Sequence, residues 1–331
     1  MKNILNKLYN YQTLERNEAK EMLINIAEGK YNVSQVTSFM TVFLMRSITV
    51  EELAGFRESL LELCFKIDLN DFNTIDLCGT GGDGKDTFNI STISSFVVAG
   101  AGYKVSKHGN YSASSMCGSS NIIESFGAKL TNQNDKLKKS IELSNICYLH
   151  APLFHPAMKF VAPIRKELGI KTFFNMLGPI VNPSNPQNQL IGVYSLETSR
   201  LYNYLFQTLN KNYSIVHSID GYDEISLTCD FKVFNNNVEN LFSPQSFNFE
   251  QVNPIDIKAG HDINAAKNIF LNVLNNTATE TQTNVVIINS AFAIKCFNNN
   301  NSIEQCIDEA KKSIIDGNAI KSFNKFIEIN S

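Results

Sequence analysis

The sequence predicts an α/β protein, in which a small helical N-terminal domain is joined to a larger domain with a mainly parallel central sheet. Through residues 1–70, apolar positions recur at helical spacing and no strand-like run interrupts them. From Asn73 onward, short β-like runs alternate with helical stretches, which is typical of parallel strands joined by crossover helices. Two glycine-rich loops also follow strand-like runs, at the sheet edge where such proteins bind ligands. We therefore predict a helical domain at 1–70 and an α/β domain at 71–331.

Three helices are predicted in the N-terminal region. The first covers Leu14–Ala27, and Ser34 is expected to cap the second. Thr49 and Glu52 form a capping box, in which a hydroxyl and a carboxylate satisfy each other's free amides, and so mark the start of the third helix. Apolar residues at steps of three and four then predict its buried face, namely Leu53, Phe56, Leu60 and Cys64.

The α/β domain is predicted from five strand-like runs and the helical stretches between them. The strand-like runs are Thr74–Cys78, Tyr103–Ser106, Ile146–Leu149, Leu190–Tyr194 and Ser214–Ser218. The helical stretches are Thr92–Ala101, Ser119–Phe126, Lys136–Leu143, Pro156–Leu168 and Arg200–Leu209. Beyond them we expect a hairpin at Thr228–Asn240 and two or three closing helices, including Ser302–Asp316.

Composition excludes several classes of protein. Of the 331 residues, 43% are apolar and 18% charged, and the net charge is −3, without the basic excess of a nucleic-acid-binding protein. The seven cysteines show no Cys-x-x-Cys spacing, which indicates reduced thiols. The start lacks the apolar core of a signal peptide, and no run is long enough to span a membrane. We predict a cytoplasmic protein without nucleic-acid or membrane partners.

The first glycine-rich loop, Gly79–Asp83, leads into a helix start that is rich in hydroxyl groups. Glycines let a backbone approach a phosphate, and the unpaired amides at a helix start bind anions. The loop is not a Walker A motif, because neither serine nor threonine follows Lys85. A glycine-rich turn can be purely structural, but the hydroxyl groups favour phosphate binding. The candidate residues are Gly79, Gly82, Asp83, Thr87, Asn89, Ile90, Ser91 and Thr92.

A second loop, at 107–115, follows the next strand-like run. Lys107 offers a positive charge, and the serine and asparagine side chains offer hydrogen bonds to a phosphate. A solvated turn is the alternative, and His108 fits a structural role equally well. Two such loops in tandem predict a ligand with phosphates at both ends. The candidate residues are Lys107, His108, Gly109, Asn110, Ser114, Ser115 and Ser119.

Two further patterns offer a metal site and a carboxylate site. Asp223 and Glu224 follow a strand-like run, and beside phosphates they suit Mg²⁺, although an acidic pair by itself is usually just solvated. Arg165 shares a helical face with apolar residues, and its guanidinium fork matches an aromatic carboxylate. The alternative is that Arg165 only forms an ion pair at the surface. Asn175–Pro183 is expected to form an apolar loop in the pocket wall.

Together these motifs resemble those of the anthranilate phosphoribosyltransferase family, from the helical start to about Ser226. The two loops are similar to the family's phosphoribosyl diphosphate motifs. The stretches His155–Gly169 and Asn175–Pro183 are similar to its anthranilate region. The anthranilate-binding residues that the resemblance implies are Gly79, Asn110, His155 and Arg165.

The resemblance implies a nucleoside phosphorylase-like fold, a homodimer, and a helical domain completed by a segment near 165–185. The implied reaction, a step of tryptophan biosynthesis, transfers the 5-phosphoribosyl group of 5-phospho-α-D-ribose 1-diphosphate (PRPP) to the amine of anthranilate, and diphosphate leaves. Mg²⁺ is the implied cofactor, held by Ser91, Asp223 and Glu224. We place the diphosphate at Asn89–Thr92 and the 5′-phosphate nearer the second loop. No essential acid or base is assigned, and His108 is only a candidate for moving a proton.

Three residues depart from the family pattern. Tyr111 stands where arginine is common, and Ser218 and Tyr222 replace the more usual glycine and leucine. Two other functions stay open from the sequence. A pyrimidine nucleoside phosphorylase would be longer, with a further C-terminal domain, and a non-enzymatic nucleic-acid-binding homologue would carry a basic face and lack the acidic pair.

Overall fold

The computed structural model describes four stretches of the chain, residues 1–112, 117–235, 238–297 and 300–331. Contacts divide the chain into a helical unit and an α/β unit. The helical unit comprises Met1–Lys66 and Ala151–Pro183, and the α/β unit comprises Ile67–His150 and Ser184–Ser331. The segment that returns to the helical unit therefore begins at Ala151, before the 165–185 stretch expected from the sequence.

Six α-helices of the helical unit surround an aromatic core. Phe39, Phe43, Phe56 and Phe173 meet edge-on or stacked, with ring centroids 4.6 to 6.2 Å apart. Such pairs add to the stabilisation from burial. The helices are α1 (Lys2–Tyr9), α2 (Arg16–Ala27), α3 (Val33–Met45), α4 (Val50–Leu63), α8 (Ala151–Phe154) and α9 (Met158–Leu168).

The helix starts were predicted with mixed success. The capping box of Thr49 and Glu52 at α4 is confirmed. The cap expected of Ser34 is wrong, because Asn32 accepts the amide of Gln35 and forms its own capping box there. Asparagine is a good cap, and here it takes the position two residues earlier.

Within the described residues, seven strands form one sheet in the order β3-β2-β1-β4-β5-β6-β7. The first five strands in the chain pair in parallel, and β6 and β7 form an antiparallel hairpin at the edge. This confirms the mainly parallel sheet and the added hairpin. The strands are β1 (Thr74–Gly79), β2 (Lys104–Gly109), β3 (Ile146–His150), β4 (Asn188–Gly192), β5 (Asn212–Ser218), β6 (Phe231–Asn235) and β7 (Val238–Phe242).

The sheet of the α/β unit is covered by helices that bury a continuous apolar core. In the stretches that the structure describes, four helices close the chain, where two or three were expected. None of the helices in the described stretches is long and apolar enough to cross a membrane. The helices are α5 (Ile90–Gly100), α6 (Ser119–Ser125), α7 (Asn134–Ser144), α10 (Leu196–Gln207), α11 (Ile263–Leu274), α12 (Glu280–Lys295), α13 (Ile303–Ile315) and α14 (Asn318–Asn330).

One boundary of the second loop was predicted wrongly. Lys107, His108 and Gly109 belong to strand β2, not to a loop. Lys107 is buried, with Nζ donating to the carbonyl of Leu77, and the amide of His108 donates to Asp76 Oδ1 at 3.0 Å. These partners on the neighbouring strand let polar residues continue the sheet.

Candidate active site

The first glycine-rich loop begins where β1 ends and leads into α5. Gly81, Gly82 and Gly84 have φ of +66°, +72° and +75°, a left-handed conformation that glycine adopts at little cost. Beyond them, Thr87 forms an isolated bridge with Lys258. The loop is therefore shaped by glycine and tied to a distant segment just before the helix starts.

Asp223 lies against the carboxyl ends of two neighbouring strands. Gly79 of β1 pairs with Gly192 of β4, and a Cβ at either glycine would overlap Asp223. The carboxylate Oδ2 of Asp223 accepts the amide of Gly81 at 2.6 Å. Both glycines are thus needed for Asp223 to reach the first loop.

Glu224 reaches the start of α5. Its Oε1 accepts the amide of Ser91, the second residue of that helix, at 3.0 Å. Its Oε2 accepts the hydroxyl of Thr87 at 3.3 Å. Free amides of this kind, at a glycine loop and a helix start, are the donors that bind phosphate. In this structure the amides of Gly81 and Ser91 donate to carboxyl oxygens of Asp223 and Glu224.

The two carboxyl groups share a buried and negatively charged environment. Burial, followed by the negative charge of Asp83, raises the pKa of Asp223 to about 7. Burial and then the charge of Asp223 raise the pKa of Glu224 well above its ordinary value. A cation between them would stabilise both charged forms.

This donor set fits Mg²⁺. Among the described residues, no group of three or more histidine, cysteine, aspartate or glutamate side chains forms a ready-made metal site. Mg²⁺ in phosphate-binding proteins commonly uses one or two carboxylates and takes its other ligands from water and substrate phosphates. Asp223 and Glu224, with Ser91 beside them, supply such an incomplete oxygen set.

Two buried residues hold the acidic segment in place, and neither was given this role from the sequence. Asn289 of α12 clamps Ile225, accepting its amide at 3.1 Å and donating to its carbonyl at 2.8 Å. Ser218, one of the departures from the family pattern, donates its hydroxyl to the carbonyl of Glu224 at 2.8 Å. Asn289 carried no sequence signal, since it sits in an apolar helix far along the chain.

Tyr222, another departure, also contacts the first loop. The ammonium group of Lys85 lies 4.6 Å from the centroid of the Tyr222 ring, a distance that suits a cation–π interaction. Lys258 Nζ donates to the carbonyl of Lys85 at 2.8 Å. These contacts hold the Lys85 end of the first loop next to the acidic pair.

The second group of predicted residues lies partly outside the described residues. Ser114 and Ser115 are the two that fall there. Asn110 is exposed after β2, and its Oδ1 accepts the amide of Tyr111 at 2.8 Å. Asn89 of the first group donates its side-chain amide to the carbonyl of Cys117 at 2.9 Å, which ties the two groups together.

Tyr111 replaces the family's common arginine without leaving the loop unsupported. Its hydroxyl donates to Glu124 Oε1 at 3.1 Å. Its ring meets that of His150 edge-on, with the centroids 4.7 Å apart. The side chain is still 44% exposed, so it does not join the core.

The predicted anthranilate residues are divided between the units. Gly79 and Asn110 belong to the α/β unit, and His155 and Arg165 to the helical unit. Arg165 donates to Asn175 Oδ1 at 3.3 Å, and its guanidinium lies 5.5 Å from the centroid of the Phe174 ring. Burial lowers the pKa of Arg165. A half-buried guanidinium on an aromatic face suits a planar carboxylate.

His155 lies in the short connection between α8 and α9 and is almost fully buried, with 4% of its surface exposed. Burial lowers its pKa to about 4, and hydrogen bonds to the backbone of Val181 and Leu60 act in the opposite direction. At neutral pH its ring is therefore uncharged.

Comparisons with known proteins indicate the same family for both parts of the chain. Residues 71–320 match the a/b domain of a glycosyl transferase family, and residues 2–64 match the helical bundle domain of that family. A curated anthranilate phosphoribosyltransferase of Flavobacterium psychrophilum is 56% identical over 330 residues, covering 100% of both chains. The one from Bacteroides thetaiotaomicron is 54% identical over 331 residues, with the same coverage.

Solved structures show the same likeness. Anthranilate phosphoribosyltransferase from Thermus thermophilus gives a TM-score of 0.92 at 25% identity, over 98% of each chain. The enzyme from Saccharomyces cerevisiae, solved in complex with PRPP and Mg, gives a TM-score of 0.90 at 26% identity, over 98% of this chain and 96% of that one. From the domain matches and the identities together, the chain belongs to this glycosyl transferase family and, within it, to the anthranilate phosphoribosyltransferases.

Proposed function

We propose that this chain transfers the 5-phosphoribosyl group of PRPP to the amine of anthranilate, releasing diphosphate, as a step of tryptophan biosynthesis. The observation that carries the proposal is the pair of Asp223 and Glu224 on the amides of Gly81 and Ser91. It combines an acidic pair suited to Mg²⁺ with the phosphate-binding backbone of the first loop. The whole-length likeness to enzymes of this activity decides against the phosphorylase and the nucleic-acid-binding homologue.

On the donor side, we assign phosphate binding to the amides of Gly81 and Ser91. Binding PRPP then exchanges their present carboxylate contacts for phosphate contacts. We further assign the hydroxyl and amide groups of both loops, together with Lys107, to the phosphates of the donor. Preorganised amides of this kind stabilise the negative charge that develops on a departing diphosphate.

We propose that Mg²⁺ is held by Asp223, Glu224 and Ser91. When bound, the ion supplies charge neutralisation for the diphosphate, which makes it a better leaving group. The solved yeast enzyme with PRPP and Mg supports this assignment by analogy.

On the acceptor side, we assign Arg165 to the carboxylate of anthranilate. The aryl amine already carries a free lone pair at neutral pH, so its attack on C1 of the ribose needs orientation more than a strong base. The C1–O bond to diphosphate breaks as the N–C1 bond forms, and the nitrogen then loses a proton. This proposal assigns no catalytic acid or base to His108 or His155.

We also propose an oligomeric state and a cellular location for this chain. We propose a homodimer on the basis of the family resemblance. We propose a cytoplasmic enzyme because all seven cysteines are free thiols in the structure.

The direct test follows the loss of anthranilate fluorescence with PRPP and Mg²⁺. Arg165→Ala should raise the KM for anthranilate about 10- to 100-fold, since a charged hydrogen bond is lost. Asp223→Asn should instead weaken the Mg²⁺-dependent use of PRPP and leave the KM for anthranilate nearly unchanged. Arg200→Ala, at an exposed position of α10, is the matched control and should behave like the wild type.

Two outcomes would contradict this assignment. If the folded wild type left anthranilate untouched and cleaved thymidine or uridine with phosphate, the proposed reaction would be wrong. If Arg165→Ala and Asp223→Asn both changed only the affinity for anthranilate, the roles given to the two residues would be wrong.

A further inference from the structure

Four side chains of β3 and α6 form a continuous series of hydrogen bonds, which we name the hydroxyl chain. His150 Nδ1 lies 2.8 Å from Ser120 Oγ, and Ser120 Oγ lies 2.9 Å from Tyr148 Oη. Tyr148 Oη lies 2.9 Å from Ser119 Oγ, and Ser119 Oγ lies 3.3 Å from the carbonyl oxygen of Asn110. The hydroxyl chain therefore runs from strand β3 to Ser119 and Asn110, two of the residues that the sequence analysis assigned to substrates.

The direction of every bond in the chain follows from its last member. A carbonyl oxygen can only accept, so Ser119 donates to Asn110 and must accept from Tyr148. Tyr148 has one proton, so it accepts from Ser120, and Ser120 in turn accepts from Nδ1–H of His150. The proton of neutral His150 is therefore on Nδ1. All the protons of the chain thus point toward Asn110.

The hydroxyl chain is buried, and the sheet leaves space for it beside β2. Ser120, Tyr148 and His150 are 0%, 4% and 5% exposed. Buried polar groups are costly unless they are hydrogen-bonded, and here each finds its partner inside the chain. A Cβ at Gly109 would overlap Tyr148 Oη, so the glycine at the end of β2 is needed for the tyrosine hydroxyl to reach Ser119.

We propose that Tyr148 and Ser120 are positioning residues, which hold the Ser119 hydroxyl as a donor toward a phosphate of PRPP. With Tyr148 occupying an acceptor position on Ser119 Oγ, the Ser119 proton has to point away from Tyr148. It points to the Asn110 carbonyl in this structure and is available to a phosphate oxygen in the complex. The inference rests on the proposed function, because Ser119 is assigned to PRPP there.

Tyr148→Phe removes only the hydroxyl and keeps the buried ring. We expect the KM for PRPP to rise about tenfold, the effect of one net hydrogen bond, while kcat changes less than about threefold. Ser120→Ala should shift the KM in the same direction. Because both substitutions break one chain, the double variant should resemble Tyr148→Phe instead of showing the product of the two effects.

The matched control is Tyr213→Phe, which removes another buried tyrosine hydroxyl, bonded to Asn203 at 2.9 Å in the same unit. Calorimetric titration of each variant with PRPP and Mg²⁺ measures binding independently of turnover, and circular dichroism monitors the fold. The inference is overturned if the wild type turns over anthranilate while Tyr148→Phe binds PRPP as tightly as Tyr213→Phe does. Multiplicative effects in the double variant would also overturn it. A wild type that does not turn over anthranilate would instead defeat the proposed function.

Discussion

Gly192 determines where Asp223 can lie, although it carries no functional group of its own. A Cβ there would overlap the backbone carbonyl of Asp223, which cannot rotate away as a flexible side chain could. Gly192→Ala should therefore displace the acidic pair and lower Mg²⁺-dependent PRPP binding and kcat/KM by about 100-fold or more. Binding is measured by calorimetric titration, and turnover by anthranilate fluorescence.

The control for Gly192→Ala is Gly55→Ala, which introduces a similar overlap with the carbonyl of Arg16 in the helical unit. Gly55→Ala should lower the thermal midpoint but keep PRPP binding. If both variants lost stability and binding to the same degree, the specific role of Gly192 would be refuted.

His155 makes the stability of the fold depend on pH. Its folded pKa of about 4 lies below the unfolded value of about 6.5, so the unfolded chain takes up this proton first as the pH falls. The stabilisation is complete above the unfolded pKa and is lost as the pH falls from there to about 4, with about 2 kcal/mol lost between pH 7 and pH 5. Urea unfolding of the wild type and of His155→Gln at these two pH values measures it.

We expect the wild type to have a higher free energy of unfolding than His155→Gln at pH 7. At pH 5 this difference should be smaller by about 2 kcal/mol. His261→Gln, at an exposed histidine, serves as the control and should track the wild type. An unchanged difference between the wild type and His155→Gln at the two pH values would show that the imidazole is not held neutral by burial.

At the scale of elements, the sequence predicted what local patterns encode. The alternation of strand-like and helical runs correctly identified β1 to β5 as parallel strands. The capping box of Thr49 and Glu52 marked the start of α4 because all its partners lie within four residues. In contrast, Lys107 and His108 continue β2 only because Leu77 and Asp76 on the next strand satisfy them. No local pattern reveals such partners.

The distinction between local motifs and distant partners also applies to the candidate active site. The glycine loop and the acidic pair are short motifs, so they were found from the sequence and the structure brings them into contact. Asn289 contacts Ile225 from 64 positions away, and Tyr148 contacts Ser119 from 29 positions away. Residues that act by supporting others across the fold have no fixed spacing from them, so one sequence cannot reveal them.

For the whole molecule, the charge distribution supports the proposal of a bound cation. The chain carries a net charge of −3, and its candidate site gathers Asp83, Asp223 and Glu224. The charged forms of these carboxyl groups would repel an anionic donor, and a bound cation would stabilise those charged forms while offsetting the repulsion. This supports the proposal that the amides of the first loop act together with Mg²⁺, and the solved yeast enzyme contains both PRPP and Mg.

The cysteines give a prediction for the chain as a whole. Five of the seven are buried, and burial raises the pKa of half-buried Cys78 to about 12 and that of half-buried Cys229 to about 11. Since the thiolate is the reactive form, a disulfide-exchange reagent at pH 8 should react slowly with the native protein and reach at most these two thiols.

In denaturant without a reductant, the same titration should count all seven thiols, because the structure contains free cysteines throughout. Cys78 adjoins Gly79 at the first loop, so PRPP with Mg²⁺ should slow its reaction further, whereas Cys229→Ser should leave that protection in place. A count of five or fewer in denaturant would reveal a disulfide and contradict the free-thiol state. Rapid reaction of more than two thiols in the native protein would contradict the burial of the other five.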